Sequence, residues 1–421
     1  MDRRRFLASG TLGAALLGAS PAALAQASRA KPLPPASLFA SDPEKFWARV
    51  RREQFFLPEK RVFLNNGSLG VLPRPVMRSV VDYLEMAASL EMTEYPRWGY
   101  ESLDAERAKM SAFLGCSAGE LAFTQNCTEA MSFIANGLDL KAGDEVLTTD
   151  HEHPGGRSCW EVQAARHGVT LREVAIPHPP KSSAELAELL VSAIGPRTKV
   201  LSFSGILTKT GVILPVAEIC RVARSKGVAT VIDGAHMNGQ VPVSLRDLEC
   251  DYFAGSPHKW LFAPAGCGIL YGRGDALDRL WPTVVTSGWN DKERLGAARF
   301  QMVGTNNRAI FVGMMAGAAF LEAIGESKVY DRIHHLAKRT YDIAVNKPYV
   351  EMLSAADESL YGCLICMDLK GDEAKLERLW KVAAERKIWL LGGRRLRLSH
   401  HIHTRPEDVD AFFSLADEVL G

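Results

Sequence analysis

The sequence predicts an α/β protein in which a large, mostly parallel β-sheet carries helices on both faces and is followed by a smaller C-terminal α+β domain. From Val62 onward, short apolar strands alternate with amphipathic helices, the order found when helices connect parallel strands. Val228–Ile232 is a continuous run of apolar and β-branched residues, as expected for a strand buried on both faces. From Gly304 to Gly325 the chain is rich in Ala, Gly and Met, which marks the change to the second domain.

Residues 1–25 have the features of an export signal rather than of a folded domain. Arg3–Leu7 is basic and then apolar, the stretch after it is rich in Ala, Gly and Leu, and Ala23–Ala25 offers small residues for cleavage. This pattern predicts a twin-arginine signal peptide that directs the protein to the periplasm and is then removed. A membrane anchor is the alternative. The apolar run is short and interrupted, so we expect no membrane association after cleavage.

The rest of the chain divides by composition into an arm and two domains. The arm is Pro-rich and then helical. The predicted units are the signal peptide (1–25), the N-terminal arm (26–60), the large domain (61–300), and the connecting helix with the small C-terminal domain (301–421).

The individual elements follow from hydrophobic periodicity. Besides Val228–Ile232, the predicted strands are Glu145–Thr149, Lys199–Ser204, Leu360–Leu369 and Arg395–Ser399. Pro215 opens a helix whose apolar residues recur at i, i+3, i+4 and i+7, namely Val216, Ile219, Cys220 and Ala223. Later helices are predicted within Gly304–Gly325, around the stripe Leu376, Leu379, Trp380 and Ala383, and after a capping box at Thr404–Glu407.

The composition excludes some classes of function. The 421 residues carry a net charge of +1 and show no basic stripe, so a nucleic-acid partner is not expected. None of the eight cysteines has a spacing typical of a metal site. Cys363 and Cys366 point to opposite faces of a predicted strand, so we expect neither a shared metal nor a disulfide between them. An exported protein can form disulfides elsewhere, with free buried thiols as the default.

Two candidate chemical motifs follow apolar strands. Asp233 comes directly after a buried strand, at the edge of the sheet where ligands bind in open α/β folds, and its carboxylate can pair with a cationic ring nitrogen. Lys259 has apolar neighbours, which favour the neutral amine that forms a Schiff base. Ser256 and His258 beside it can contact a phosphate. Taken singly, Asp233 can be a turn cap and Lys259 a surface lysine.

Two further motifs fit a phosphate and a flat ring. Cys127 and Thr128 begin a helix, and a helix N-terminus offers free N–H groups to a phosphate, although an ordinary N-cap explains this motif alone. His153 follows a strand and can stack on a ring or carry protons, and the glycines after Pro154 would let a ligand come close. His151 and His153 can also be interpreted as metal ligands, but no third ligand stands at a familiar spacing.

In this order, the four motifs resemble the class V aminotransferase superfamily, whose members bind pyridoxal 5′-phosphate (PLP) in fold type I. The resemblance runs from about Leu64 to the C-terminus and is most specific from VIDGAH to HKWLFAPAGCGILY. It is strongest to the isopenicillin N epimerase-like branch. The resemblance implies fold type I, a PLP cofactor and a homodimer with shared active sites.

The resemblance also implies a role for each site residue. Lys259 would hold PLP as a Schiff base and move the α-proton, while Asp233 would pair with the pyridine nitrogen and His153 would stack on the ring. His236 would hydrogen-bond the phenolic oxygen, and Arg397 would bind the substrate carboxylate. The other implied contacts are Cys127, Thr128, Ser256 and His258 to the phosphate, Thr208 beside the cofactor, Thr305 to the phosphate of the neighbouring subunit, and Asn65, Asn66, Gly67 and Ser68 on the substrate side.

The chain departs from the family pattern at positions that bear on the reaction. Thr208 stands where desulfurases carry an asparagine, and Ala265 replaces a common lysine. Desulfurases use a cysteine on a loop shortly before the carboxylate-binding arginine. No cysteine lies between Val382 and Arg397, so a persulfide-forming desulfurase is not expected.

The leading hypothesis is a periplasmic PLP enzyme that labilises a bond at the α-carbon of an amino acid, or of the amino-acid part of a peptide metabolite. Epimerisation, transamination and lyase chemistry all remain open. The sequence also resembles exported PLP enzymes that modify the siderophore pyoverdine. The alternative function is therefore oxidative deamination, decarboxylation or transamination of such a metabolite. Two weaker hypotheses are a non-catalytic PLP-fold protein and a metal-dependent hydrolase that uses the histidines at 151, 153, 400, 401 and 403.

Overall fold

The computed structural model describes residues 31–89 and 103–421, and the predicted signal peptide lies outside the described residues. The helices, in chain order, are α1 (Ala36–Ser41), α2 (Pro43–Gln54), α3 (Arg74–Ser89), α4 (Asp104–Leu114), α5 (Cys127–Gly137), α6 (Pro154–His167), α7 (Ser183–Ser192), α8 (Val216–Ser225), α9 (Pro257–Trp260), α10 (Gly274–Leu277), α11 (Lys292–Leu295), α12 (Arg308–Ile324), α13 (Glu326–Ala344), α14 (Glu373–Glu385) and α15 (Pro406–Leu420). The strands are β1 (Val62–Phe63), β2 (Leu121–Thr124), β3 (Glu145–Thr149), β4 (Thr170–Val174), β5 (Thr198–Ser204), β6 (Ala229–Asp233), β7 (Tyr252–Gly255), β8 (Gly268–Gly272), β9 (Val350–Met352), β10 (Leu364–Leu369), β11 (Ile388–Trp389) and β12 (Arg395–Ser399).

The large sheet has the strand order β2-β8-β7-β6-β5-β3-β4. All neighbours from β4 to β7 pair in parallel, and only β8 runs antiparallel to the strands beside it. The predicted mostly parallel sheet is therefore confirmed. Since β3, β5 and β6 run in the same direction, their last residues, Thr149, Ser204 and Asp233, lie at one edge of the sheet, where open α/β folds bind ligands.

The predicted strands agree with the structure where apolar residues run without interruption. β3 and β12 have the predicted bounds, and β5 and β6 differ from them by one residue. The predicted start of β10 at Leu360 was wrong, because residues 358–360 form a short 3₁₀ turn and the strand begins at Leu364.

The helix predictions hold for their buried faces and fail at one terminus. The four residues predicted for the apolar face of α8 are all buried. The capping box at Thr404 was wrong. Arg405 is the N-cap of α15 and donates its N–H to the Asp408 carboxylate, whereas the Thr404 hydroxyl accepts from the N–H of His401.

The C-terminal part contains the antiparallel sheet β12-β10-β9. The segment after the arm reaches this part, because β1 pairs in parallel with β11 and the N–H of Ser399 donates to the carbonyl of Leu64 at 2.9 Å. Residues 65–68 are thereby placed beside Arg397 on β12. The arm contributes Phe46, Trp47 and Val50 to the hydrophobic core.

All eight cysteines lie in the described residues, and all are free thiols. Within residues 31–89 and 103–421, no single helix has the length and apolar character needed to span a membrane, and only α12 and α13 together, with an 85° bend between them, meet those criteria.

Candidate active site

A cavity of about 470 Å³ opens at the carboxyl edge of the parallel strands. Its size is typical of a small-molecule site. It brings together most of the predicted site residues, namely Gly67, Ser68, Cys127, Thr128, His153, Thr208, Asp233, Ser256, His258, Lys259 and Arg397. It is also lined by Gly155 and Gly156, the glycines predicted to let a ligand come close, and by Asn126, Ala235 and Leu391, which the site prediction did not include.

Lys259 is held on the short helix α9, just after β7. Its Nζ lies 3.4 Å from Nε2 of His236. Burial lowers the pKa of Lys259, and the nearby Asp233 carboxylate partly opposes this effect. The amine is therefore more readily neutral than an exposed lysine, which suits a nucleophile that must react with a carbonyl group.

Asp233 ends β6 and is almost fully buried, with 6% of its surface exposed. Its Oδ1 accepts from the thiol of Cys127 at 3.2 Å and from the N–H of Ala235 at 2.9 Å. A Cβ on Gly156 would lie 2.5 Å from Oδ2 of Asp233. Only glycine therefore fits beside this carboxylate, which leaves its second oxygen open for a ligand.

The N-terminus of α5 faces the same cavity and forms the candidate phosphate site. Asn126 is its N-cap and accepts from the N–H of Glu129 at 2.9 Å, and the helix begins at Cys127, as predicted. The hydroxyl of Ser256 lies 3.4 Å from the N–H of Cys127. A Cβ on Gly155 would lie 2.4 Å from the hydroxyl of Thr128, so this glycine also keeps space open.

Two of the three histidines predicted at the cofactor, His153 and His258, are held through their Nδ1 atoms. His153 is the N-cap of α6, and its Nδ1 accepts from the N–H of Gly155 at 3.0 Å. Nδ1 of His258 lies 3.3 Å from the carbonyl of Cys267, and since a carbonyl only accepts, this nitrogen carries the proton. Nε2 of His258 can then donate to a phosphate only as imidazolium. Burial lowers the pKa of His258, whereas a bound phosphate would raise it.

Arg397 is a buried cation whose guanidinium N–H groups are only partly used in hydrogen bonds. Its Nη1 donates to the Thr208 hydroxyl at 2.7 Å, and its Nη2 donates to the Ser68 hydroxyl at 2.9 Å and to Oδ1 of Asn65 at 3.4 Å. Among the residues that the structure describes, no carboxylate pairs with it, and its Nε has no hydrogen-bond partner. This arrangement suits a bidentate substrate carboxylate. It also places Thr208 beside Arg397.

Four predicted residues do not line the cavity, namely Asn65, Asn66, His236 and Thr305. Asn65 and His236 contact the lining residues Arg397 and Lys259. Asn66 donates to the carbonyl of Lys259 at 2.7 Å and contacts Nε2 of His403 at 3.2 Å. It therefore holds the backbone of Lys259 in place. Thr305 is exposed and does not line the cavity of its own chain, which leaves its predicted contact with a neighbouring subunit as a prediction.

Two residues near the site were missed by the sequence analysis. Glu152 accepts from the hydroxyls of Thr149 and Ser204 at 2.6 and 2.5 Å. Burial, with the Asp233 charge, raises the pKa of Glu152 to about 7. Trp260 donates its indole N–H to Nδ1 of His236 at 3.2 Å. A carboxylate between two histidines at a strand end is a sequence signal for Glu152, but no sequence pattern indicates the Trp260 contact.

The thiols near the cavity are poorly suited to nucleophilic chemistry. Burial and the neighbouring Asp233 raise the pKa of Cys127 well above its ordinary value, and burial raises the pKa of Cys366 to about 12. In the segment before Arg397, the residue that lines the cavity is Leu391. This observation agrees with the argument against a persulfide-forming desulfurase.

The metal-dependent hydrolase has little support in the structure. In residues 31–89 and 103–421, no group of three or more His, Cys, Asp and Glu side chains could hold a metal ion. The C-terminal histidines are instead used in hydrogen bonds, with His400 to Thr340, His401 to the carbonyl of Trp260 and His403 to Asn66.

Comparison with known proteins identifies the family. Residues 62–412 match the family described as Aminotransferase class-V. The chain belongs to the class V aminotransferase family. Isopenicillin N epimerase of Streptomyces clavuligerus is 31% identical over 397 residues, which cover 89% of this chain and 98% of that protein. The isopenicillin N epimerase of Amycolatopsis lactamdurans is 33% identical over 338 residues, or 77% of this chain and 84% of its own. Cysteine desulfurases are also among the relatives.

Solved structures support the same fold and cofactor. A variant of C-DES with glycine covalently linked to its PLP cofactor has a TM-score of 0.76 and 26% identity, over 87% of this chain and 99% of that chain. This class V aminotransferase is therefore a PLP-dependent enzyme of fold type I. The residues present fit the cofactor, because Lys259, the open oxygen of Asp233 and the space kept by Gly155 and Gly156 lie in one cavity.

Proposed function

We propose that this enzyme labilises a bond at the α-carbon of an amino acid, or of the amino-acid part of a peptide metabolite, with chemistry of the isopenicillin N epimerase type. The observation that carries the proposal is the buried Arg397, which pairs with no carboxylate in the part of the chain that the structure describes and lies in the same cavity as Lys259 and Asp233. A buried guanidinium without a carboxylate partner among the described residues indicates a substrate with a carboxylate. The Schiff-base lysine indicates a substrate with an amine. An α-amino acid group has both.

The residues of the chain divide the work as follows. When bound, PLP withdraws electrons from the α-carbon of an attached amino acid. Lys259, Asp233 and the N-terminus of α5 would hold it. Arg397 would bind and orient the substrate carboxylate, Lys259 would take or return a proton at Nζ, and the carboxylate of Asp233 would favour the protonated form of the cofactor ring.

The test is exchange of the α-proton in heavy water, followed by NMR. Purified PLP-loaded enzyme would be incubated with amino acids and with peptides that carry a free α-amino acid group, with both its amine and its carboxylate. We expect loss of the α-proton signal with wild type and no loss with Lys259→Ala. Chiral analysis of the exchanged substrate then distinguishes epimerisation from transamination or elimination. Exchange that persists in Lys259→Ala would refute the assignment of the base.

The same assay decides between substrate classes. Exchange with simple amino acids supports the epimerase-type proposal. No exchange, but release of carbon dioxide or ammonia from a siderophore-type peptide, would instead support the metabolite-tailoring alternative. Absence of any reaction over both panels would favour a PLP-fold protein without catalytic activity.

Export to the periplasm is part of the proposal and rests on residues 1–25. The matched test replaces Arg3 and Arg4 together by lysine, which keeps the charge of the segment. We expect the wild-type protein in the periplasmic fraction, with a mature N-terminus after Ala25, and the double variant in the cytoplasm. Unchanged export of the variant would rule out the twin-arginine route.

A further inference from the structure

Trp260 contacts His236, whose Nε2 lies 3.4 Å from Nζ of Lys259. Both side chains are buried, and the indole N–H of Trp260 points at Nδ1 of His236 at 3.2 Å. An indole N–H can only donate. Nδ1 of His236 therefore accepts, and a neutral imidazole in this position has its proton on Nε2. This is the nitrogen that lies 3.4 Å from Lys259.

The surroundings of His236 favour the neutral ring. The charged and titratable groups that face it are Lys259 and His258 on α9, Arg397 on β12 and His153 at the start of α6. Burial has the largest effect, and together with these groups it lowers the pKa of His236 well below its ordinary value. The lowered pKa favours the neutral imidazole, which has one ring proton. The hydrogen bond from Trp260 to Nδ1 places this proton on Nε2.

Trp260 is itself fixed by the C-terminal part of the chain. Its carbonyl accepts from Nε2 of His401 at 3.0 Å. His401 can donate there because its Nδ1 accepts from the N–H of Ile402 at 2.8 Å, which leaves the proton on Nε2. The carbonyl of Lys259, one residue earlier, accepts from Asn66. The backbone of α9 is thus held at two successive carbonyls, so the indole keeps its orientation.

We propose that Trp260 is a positioning residue that fixes the Nε2–H tautomer of His236, so that a hydrogen-bond donor faces Lys259. The inference rests on the cofactor site and is independent of which reaction the enzyme performs. Without the indole N–H of Trp260, Nδ1 of His236 would have no donor, and the imidazole would be free to change tautomer or to accept a second proton.

The first test is Trp260→Phe in the PLP-loaded enzyme, which removes the N–H but keeps an aromatic ring. The readout is the visible absorbance of the lysine-bound cofactor, titrated with pH. We expect the midpoint of this titration to shift by about half a pH unit to one unit, the effect of a single buried hydrogen bond. Trp160→Phe is the matched control, since Trp160 is also fully buried and donates to the Ser202 hydroxyl at 2.9 Å; it should leave the midpoint unchanged.

A double-variant comparison separates the tautomer from packing. A glutamine amide has no tautomers, so in a His236→Gln background Trp260→Phe should shift the midpoint no further. An equal shift with His236 and with Gln at this position would show that Trp260 acts by packing alone, and the proposal would be wrong.

A direct measurement covers the case in which Trp260→Phe does not fold. The holoenzyme would be labelled with ¹⁵N-histidine, and the His236 signals would be assigned by their loss in His236→Gln. We expect an unprotonated Nδ1 and a protonated Nε2 that do not change across neutral pH. A protonated Nδ1, or titration of the ring in this range, would overturn the inference without any Trp260 variant. Neither readout needs a substrate, so failure of the proposed function would leave this test intact.

Discussion

At the scale of single residues, the surroundings of Asp233 show why its charge matters. The carboxylate accepts two hydrogen bonds at Oδ1, and Gly156 packs so closely against Oδ2 that a Cβ there would lie 2.5 Å away. Asp233→Asn keeps this shape but loses the negative charge. We expect bound PLP but a fall in turnover of roughly 100-fold or more, the size found when one electrostatic contact is removed from an active site. Full activity of the variant with bound cofactor would contradict the assigned role.

Arg397 gives a second prediction, on substrate affinity. Arg397→Lys keeps the charge but cannot bind a carboxylate through two parallel N–H groups. We expect KM to rise by about 10- to 100-fold, as for the loss of a hydrogen bond to a charged group, with a smaller change in kcat. Arg395→Lys is the control on the same strand, because Arg395 is exposed and pairs with Asp368. Equal KM values for the two variants would exclude Arg397 from carboxylate binding.

Glu152 gives a prediction on stability and pH. Its pKa is raised from 4.5 to about 7, chiefly by burial. Between these values the folded protein keeps a proton that the unfolded chain has lost, so this residue lowers the free energy of unfolding as pH rises. Glu152→Gln removes the effect. Between pH 4.5 and pH 7, we expect the free energy of unfolding of the cofactor-free variant to rise by about 2–3 kcal/mol relative to that of wild type. Urea unfolding at several pH values measures this difference.

Glu145 is the control of opposite sign. Its pKa is lowered, chiefly by a hydrogen bond from Arg172, so its contribution to stability is present above pH 4.5 and lost in acid. Glu145→Gln should therefore cost stability at neutral pH, where Glu152→Gln gains it. If both variants changed stability in the same direction, loss of charge alone would explain the result.

At the scale of elements, the site depends on the start of α6 packing closely against the end of β6. A Cβ on Gly156 would lie 2.5 Å from Oδ2 of Asp233. We expect Gly156→Ala to cost about 1–3 kcal/mol in local strain and to weaken PLP binding roughly tenfold or more, measured by equilibrium titration with PLP. Gly119→Ala is the control, because nothing lies within 4 Å of that position. Equal PLP affinity in both variants would show that the carboxylate does not need this space.

The elements that could be predicted from the sequence are those defined by burial. β3, β6 and the buried face of α8 follow from apolar runs and helical spacing, and the strand ends of β3 and β6 then indicate His153 and Asp233. Helix termini could not be predicted as well, because capping depends on which partner a hydroxyl meets. Thr404 has the right residue type for a cap, but the N–H of His401 occupies its hydroxyl.

At the scale of the whole molecule, contacts between distant segments could not be predicted. The pairing of β1 with β11 brings Ser68 to Arg397 across 329 residues, and no local pattern in either segment encodes that pairing. The same holds for Trp260 and His236, which come from different strand–helix connections. The resemblance to the family supplied the roles of single residues, but it did not supply the hydrogen bonds that hold them in place.

The last prediction concerns the proposed homodimer. Between β8 and α12, the segment 281–289 exposes large apolar side chains, with Trp281 53% and Val285 55% exposed. Such a patch is typical of an interaction surface. We expect the wild-type enzyme to sediment as a dimer and Val285→Asp to weaken that dimer, since a buried unpaired charge is costly. Val345→Asp, at an equally exposed valine after α13, should leave the dimer unchanged. A wild-type monomer at all concentrations would refute the homodimer, whereas a dimer that tolerates Val285→Asp would place the interface elsewhere on the surface.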